Sequence, residues 1–347
     1  MQSPLNVAVA GLGYWGPNLV RNFAASTKWN VAWIADVNER RLTPMARLYP
    51  KTRTTTRFED VLEDPSVDLV AIATPPALHH KMALQAIAAG KHVLVEKPMA
   101  ETSAHAREML DAAEAAGVHL FTDHTFLTAG AVEAMRSKFL DGELGDIYYA
   151  ESSRVNLGLF QQSNVIWDLA PHDFSILNHV FGEQPEAVAC HAMAYIHPPV
   201  WDVAFVSLRY GSGRMAQVHL SWLSPVKVRR MMLSASTRMV VWDDVDPSEK
   251  LRIYDKGVER HPTSETLPAQ MVSYRSGDVR IPIIDNREPL AKLAEDVYAA
   301  IRDGAQTRVG GTVGYDVVRC IEAACVSLER DGAWVSLASL PDPKVVA

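Results

Sequence analysis

The sequence predicts an α/β protein in which a doubly wound parallel sheet is followed by an α+β domain with an open-faced, largely antiparallel sheet. Three observations carry this. Short, near-continuous apolar runs alternate with helical patterns through the first third of the chain, the mark of strands buried on both faces. After about residue 123 that rhythm gives way to strands in series. The length of 347 residues suits two domains at about 150 residues each. The expected division is 1–123 and 124–347.

The expected strands of the first domain are Leu5–Ala10, Asn30–Ala35, Asp68–Ala73, His92–Glu96 and Val118–Thr122. Its helices are expected at Pro17–Ala25, Glu39–Leu48, His79–Ala89 and Ser103–Ala116. Gly90 and Gly117 follow two of these helices, where a residue of positive φ ends a helix. The second domain should open with a helix over Ala131–Leu140 and a strand over Ile147–Val155. A helix from Asp168 to Val180 follows, with Asp168 as its cap and Pro171 in its first turn. Strands are then expected at Val203–Tyr210, Met215–Trp222, Val228–Ala235, Arg238–Asp243 and Leu251–Tyr254, with a hairpin at Gly211–Gly213. Residues 260–288 read as a long loop before two helices, Pro289–Asp303 and Tyr315–Arg330.

Composition removes several function classes. A net charge of −7 lacks the basic face that binds nucleic acid. No apolar run approaches the ~20 residues of a bilayer span, and the start has no basic region typical of a secretory leader. Cys190, Cys320 and Cys325 have no metal-like spacing, and no HExxH set occurs, so metal catalysis is not expected. A cytoplasmic enzyme without membrane or nucleic-acid partners is the expectation.

Gly11-Leu12-Gly13-Tyr14-Trp15-Gly16 follows a predicted strand and opens a predicted helix. In that context the glycines permit a tight turn, close approach of a pyrophosphate, and close helix–strand packing. The helix N-terminus would offer N–H groups and positive dipole charge to phosphates. Asp36 ends the second strand, where an acidic side chain accepts hydrogen bonds from an adenosine ribose. Its charge opposes a 2′-phosphate, which favours NAD; the nearby Arg40 and Arg41 keep NADP as the alternative.

Two further stretches carry chemistry. Val93-Leu94-Val95-Glu96-Lys97-Pro98 ends a strand in a charged pair, and ligands of open α/β sheets bind at strand carboxyl ends. The Lys97–Pro98 bond is expected to be cis, which proline makes inexpensive. Trp167-Asp168-Leu169-Ala170-Pro171-His172-Asp173 spaces Asp168 and His172 four residues apart, on one helix face.

The order GLGYWG, ATPPALHH (Ala73–His80), AGKHVLVEKP (Ala89–Pro98) and WDLAPHD (Trp167–Asp173) resembles the glucose–fructose oxidoreductase, inositol 2-dehydrogenase and rhizopine-catabolism (Gfo/Idh/MocA) family over nearly the whole chain. The resemblance implies a Rossmann domain, a sheet domain for substrate, and a homodimer or homotetramer assembled through that sheet. It implies catalytic roles for Lys97, Asp168 and His172, and places Thr74, Pro75 and His79 near the cofactor with Tyr14, Trp15 and Glu96. Oxidising a secondary alcohol needs a hydride acceptor and a base. His172 suits the base because imidazole titrates near neutrality, and Lys97 suits stabilisation of the developing alkoxide. The reverse assignment, with Lys97 as base, stays open.

For substrate, Ser153–Gly158 (SRVNLG) and Ser221–Arg230 (SWLSPVKVRR) resemble members acting at C3 of a nucleotide-linked hexose. Arg154, Lys227 and Arg230 would be donors to a diphosphate, with His124 and Asn156 to sugar hydroxyls. A free polyol or cyclitol dehydrogenase is the alternative substrate reading, and a non-catalytic NAD-binding regulator the alternative from another class.

Overall fold

The computed structural model describes residues 3–158, 163–260 and 272–341, and the chain divides into two units. The first comprises residues up to Thr128 together with Arg287–Arg319. Its sheet runs β3(Arg53–Thr55), β2(Trp29–Ala35), β1(Leu5–Ala10), β4(Leu69–Ile72), β5(His92–Glu96), β6(Leu120–Asp123), with every pair parallel. All four residues of β4 are buried, as a strand covered on both faces requires. The helices are α1(Gly16–Ala25), α2(Glu39–Leu48), α3(Phe58–Glu63), α4(His79–Ala88) and α5(Ser103–Ala116). Gly117 ends α5 at φ 66°, the left-handed position expected of it. The short β3 and α3 were not expected.

The single cut expected after residue 123 does not describe the packing, because residues 287–319 return to the first unit. The reason is apolar burial: α8(Pro289–Asp303) buries Leu290, Leu293, Ala294 and Val297. Trp29 Nε1 donates to the Ala294 carbonyl at 2.9 Å, and the Trp29 and Tyr298 rings meet edge-on at 5.9 Å.

The second unit comprises Ala129–Asn286 and Cys320–Leu340, so that α9(Gly311–Glu329) is shared between the two units. With α6(Gly130–Leu140), α7(Val165–Phe181) and the strands β7(Ile147–Leu157), β8(Pro185–Met193), β9(Val203–Tyr210), β10(Met215–Ser221), β11(Leu223–Ala235), β12(Met239–Asp243), β13(Leu251–Arg260), β14(Val272–Arg280) and β15(Val335–Ser336), it forms a nine-stranded sheet. The order is β14-β13-β12-β11-β7-β10-β9-β8-β15; β7 and β10 pair in parallel and the other neighbours are antiparallel. Burial alternates with period two. Ala150, Ser152 and Arg154 of β7 are buried, whereas Tyr149 and Glu151 are exposed, as are Phe205 and Arg209 of β9 and Met215 and Gln217 of β10.

Two expectations are corrected here. Residues 260–288 were expected as loop, yet Val272–Arg280 is a strand paired with β13; 261–271 lie outside the described residues. The helix expected from Asp168 starts at Val165, because Asn164 caps it by accepting from Ile166 N at 3.0 Å and Trp167 N at 3.2 Å. Pro171 therefore sits inside α7, not in its first turn. Among the described residues no helix is long and apolar enough to cross a membrane.

Candidate active site

The glycine turn of the first unit separates packing needs from ligand needs. Gly11 has φ +97°, and a Cβ there would lie 2.6 Å from the Ala73 carbonyl oxygen after β4. A Cβ on Gly16 would lie 1.9 Å from the Gly11 carbonyl oxygen. Both glycines are thus required by the chain itself. At Gly13 a Cβ would meet only Ala73 O at 3.9 Å, so protein packing gives no reason for glycine there. Close approach of a pyrophosphate does. The α1 N-terminus has no side-chain cap and no acidic residue in its first turn, which leaves N–H groups and dipole for an anion. Tyr14 and Trp15 are exposed beside it.

Asp36 is engaged more fully than sequence suggests. One carboxylate oxygen accepts from Leu12 N at 2.7 Å, inside the glycine turn, and the other from Asn38 N at 2.8 Å. Arg41 Nη1 lies 3.5 Å away. A carboxylate has about four lone-pair sites, so capacity remains for ribose hydroxyls. These features fit an NAD dinucleotide, which the turn, the α1 N-terminus and Asp36 would hold.

At the carboxyl end of β5, Lys97 is half-buried and its bond to Pro98 is cis, as expected. Glu96 is buried beside Asp123, its register partner on β6. Burial, then the Asp123 charge, pushes the Glu96 carboxyl well above the usual carboxylate range. Burial raises Asp123 as well. His124 is buried, and both its ring nitrogens lack a hydrogen-bond partner among the described residues. Burial, aided by the Lys97 charge, pulls its pKa down to about 3, so it is a neutral imidazole.

His79 lies between two strand-end loops. Expected at the cofactor with Thr74 and Pro75, it is fully buried, with Nδ1 2.9 Å from the Pro98 carbonyl and Nε2 2.8 Å from the Thr74 carbonyl. It braces the loop after β4 against the turn after β5. Thr74 stays half-buried and Pro75 exposed at the head of that loop.

In the second unit, Asp168 and His172 lie one turn apart on α7, both half-buried. Asp168 accepts from Trp222 Nε1 at 3.1 Å. Trp222 is buried and was not singled out from sequence; a tryptophan N–H needs a buried acceptor, which is the signal that was available. The Asn156 side-chain oxygen is buried without a partner among the described residues.

Arg154 departs from the expectation. It was expected to meet a diphosphate, but its Nε donates to Asp173 at 2.6 Å and its side chain is only 4% exposed. It faces α7. Arg230, opposite Ser153 in the β7–β11 register, is exposed on the other face, and Lys227 is exposed in the irregular stretch of β11 before Val228. One diphosphate cannot bridge Arg154 and Arg230 across a sheet.

Comparison with known proteins agrees with this geometry. A model described as an oxidoreductase family with an NAD-binding Rossmann fold matches residues 5–124, and the GFO/IDH/MocA C-terminal domain matches 128–241. The 1,5-anhydro-D-fructose reductase of Ensifer adhaerens is 37% identical over 180 residues, 48% of this chain and 54% of the reductase, so that match spans about half the relative's length. The scyllo-inositol 2-dehydrogenase (NADP(+)) of Bacillus subtilis is 25% identical over 313 residues, 85% of this chain and 86% of the enzyme. In fold alone, the aldose-aldose oxidoreductase of Caulobacter crescentus superposes with TM-score 0.81 at 21% identity, covering 96% of this chain and 99% of that one. From the glycine turn to the open sheet, the chain belongs to the Gfo/Idh/MocA family of NAD-binding oxidoreductases.

Proposed function

We propose that this chain exchanges a hydride between NAD(P) and a secondary alcohol or ketone of a sugar or polyol. The observation that carries the reading is Lys97, half-buried at the same strand-end edge of the parallel sheet as the Gly11–Gly16 turn. A bound NAD(H) supplies the hydride acceptor or donor. Lys97 hydrogen-bonds the reacting oxygen and stabilises its negative charge. His172 takes the hydroxyl proton in oxidation, and Asp168, fixed by Trp222, orients and tunes it. His124 and Asn156 offer unsatisfied polar atoms to hydroxyl groups.

The finer reading, C3 of a nucleotide-linked hexose, keeps Lys227 as a diphosphate donor, because Arg230 lies on the sheet face opposite α7 and His172. The burial of Arg154 favours the second reading, a free sugar or cyclitol, the kind of compound named for the Ensifer and Bacillus relatives. The exposed sheet face bearing Tyr149, Phe205 and Met215 is read as the contact with a second copy, and cysteines that form no disulfide accord with a cytoplasmic location.

The test is NADH formation with myo-inositol, free aldoses, and UDP- and dTDP-hexoses. Turnover of a free polyol or aldose alone supports the second reading, and turnover of a nucleotide-linked hexose restores the first. His172→Ala should lower kcat by about 10²–10⁴-fold with NAD affinity retained. Binding of NAD without turnover of any substrate class makes the chain a regulator and defeats the proposal.

A further inference from the structure

Two carboxylates close the parallel sheet. β5 ends in Glu96 and β6 in Asp123, and the two are direct register partners. Neighbouring strands lie about 4.8 Å apart. Glu96 is 8% exposed and Asp123 2%, so water does not separate their charges. Two ionised carboxylates this close in a poorly solvated place repel strongly, and such pairs hold one proton more readily than none.

Hydrogen-bond accounting points the same way. Asp123 Oδ1 accepts from the Thr125 hydroxyl. One Glu96 oxygen accepts from Lys97 N at 3.1 Å. Asp123 Oδ2 is buried and meets no donor among the described residues, an arrangement that costs about 1–3 kcal/mol if left so. A proton on Glu96, directed at Asp123, supplies the missing donor.

We propose that Glu96 and Asp123 share a single proton at neutral pH and, as a singly charged pair, are the positioning residues of Lys97. This rests on the role given to Lys97 above. Burial raises both carboxyls, and the Asp123 charge raises Glu96 further, in the direction that retains the proton. The other titratable groups facing the pair are Lys97 itself and His124, which is neutral. His79 of α4 turns its ring nitrogens to the Pro98 and Thr74 carbonyls; burial lowers its pKa, and those two carbonyls oppose the shift. From α9, Gly314 packs on Thr122 and Met99 and brings no charge. One negative charge then balances one ammonium. Above neutrality the pair loses its proton to solvent, becomes doubly negative, and draws the Lys97 ammonium toward itself and away from the reacting oxygen.

Infrared spectroscopy over a pH titration tests this without substrate. The wild-type protein should show the carbonyl stretch of a protonated carboxylic acid near neutral pH, and Asp123→Asn should remove it. Glu96→Gln, also isosteric, should remove it too, which covers the case in which one variant does not fold. The fall of kcat/KM at alkaline pH should move by at least about one pH unit in Asp123→Asn. A wild-type spectrum without the band, a band that survives Asp123→Asn, or an unmoved alkaline limb would overturn the proposal. If the band behaves as expected while no sugar is turned over, the functional reading fails and the shared proton stands.

Discussion

Lys97 and Arg154 are two cations that strand-like sequence brings to notice, and the two units treat them in opposite ways. Lys97 comes at the end of β5, where Pro98 turns the chain out of the sheet, and it stays half-buried among polar groups. Arg154 lies within β7, and the pleat sends it under α7, where Asp173 neutralises it and Ser152 also donates to Asp173 at 2.7 Å. A basic residue at a strand end is available to a ligand. One within a strand belongs to whichever face its register assigns, and the helix-covered face makes it structural. The difference is positional, since both side chains are long and cationic.

Breaking the Arg154 pair should give the largest effect. Arg154→Met leaves Asp173 buried and uncompensated, a loss of about 3–5 kcal/mol. Urea unfolding reads it directly. A substrate KM that rises while stability holds would return Arg154 to ligand binding and erase the contrast. Lys97→Met should act chiefly on turnover, lowering kcat/KM by about 10²–10³-fold with a smaller loss of stability than Arg154→Met.

Acid sharpens the comparison within the first unit. His124 has its folded pKa depressed to about 3 from an ordinary 6.5, so between those values the unfolded chain binds more protons than the folded one. Stability should therefore fall as pH drops through that window, by up to about 1.4 kcal/mol per pH unit. His124→Phe should flatten that part of the stability curve, and an unchanged slope would assign acid sensitivity elsewhere. The smallest effect is expected at Arg41, largely exposed and 3.5 Å from Asp36. Arg41→Ala should strengthen the preference for NAD over NADP by a few-fold, worth under about 1 kcal/mol. Fluorescence titration with both cofactors measures it, and a weakened preference would show that Arg41 does not offset the Asp36 charge.

Much of the first unit was legible because its signals are local. Leu5–Ala10, His92–Glu96, Glu39–Leu48 and Ser103–Ala116 appear where apolar period and helix-end residues place them. The glycine turn, the strand end before Lys97 and the four-residue step from Asp168 to His172 are also written within a few residues of one another. What the sequence left open was decided by partners elsewhere in the chain. His79 is set by the Pro98 carbonyl and Arg154 by Asp173, while Asp168 depends on Trp222, 54 positions away. Glu96 and Asp123 become a pair only because β5 and β6 are adjacent in register.

The sequence by itself determined most of the strands and helices of the first unit, the phosphate-binding turn and which residue types stand at strand ends, because each depends on backbone propensity and spacing over one or two turns of chain. Tertiary structure alone decided that 287–319 returns to the first unit, that β7 pairs in parallel with β10, and which cation is sealed against a helix and which is left within reach of solvent. Those outcomes depend on strand register and apolar burial between segments far apart in the chain, and a one-residue change of register would send each such side chain to the opposite face.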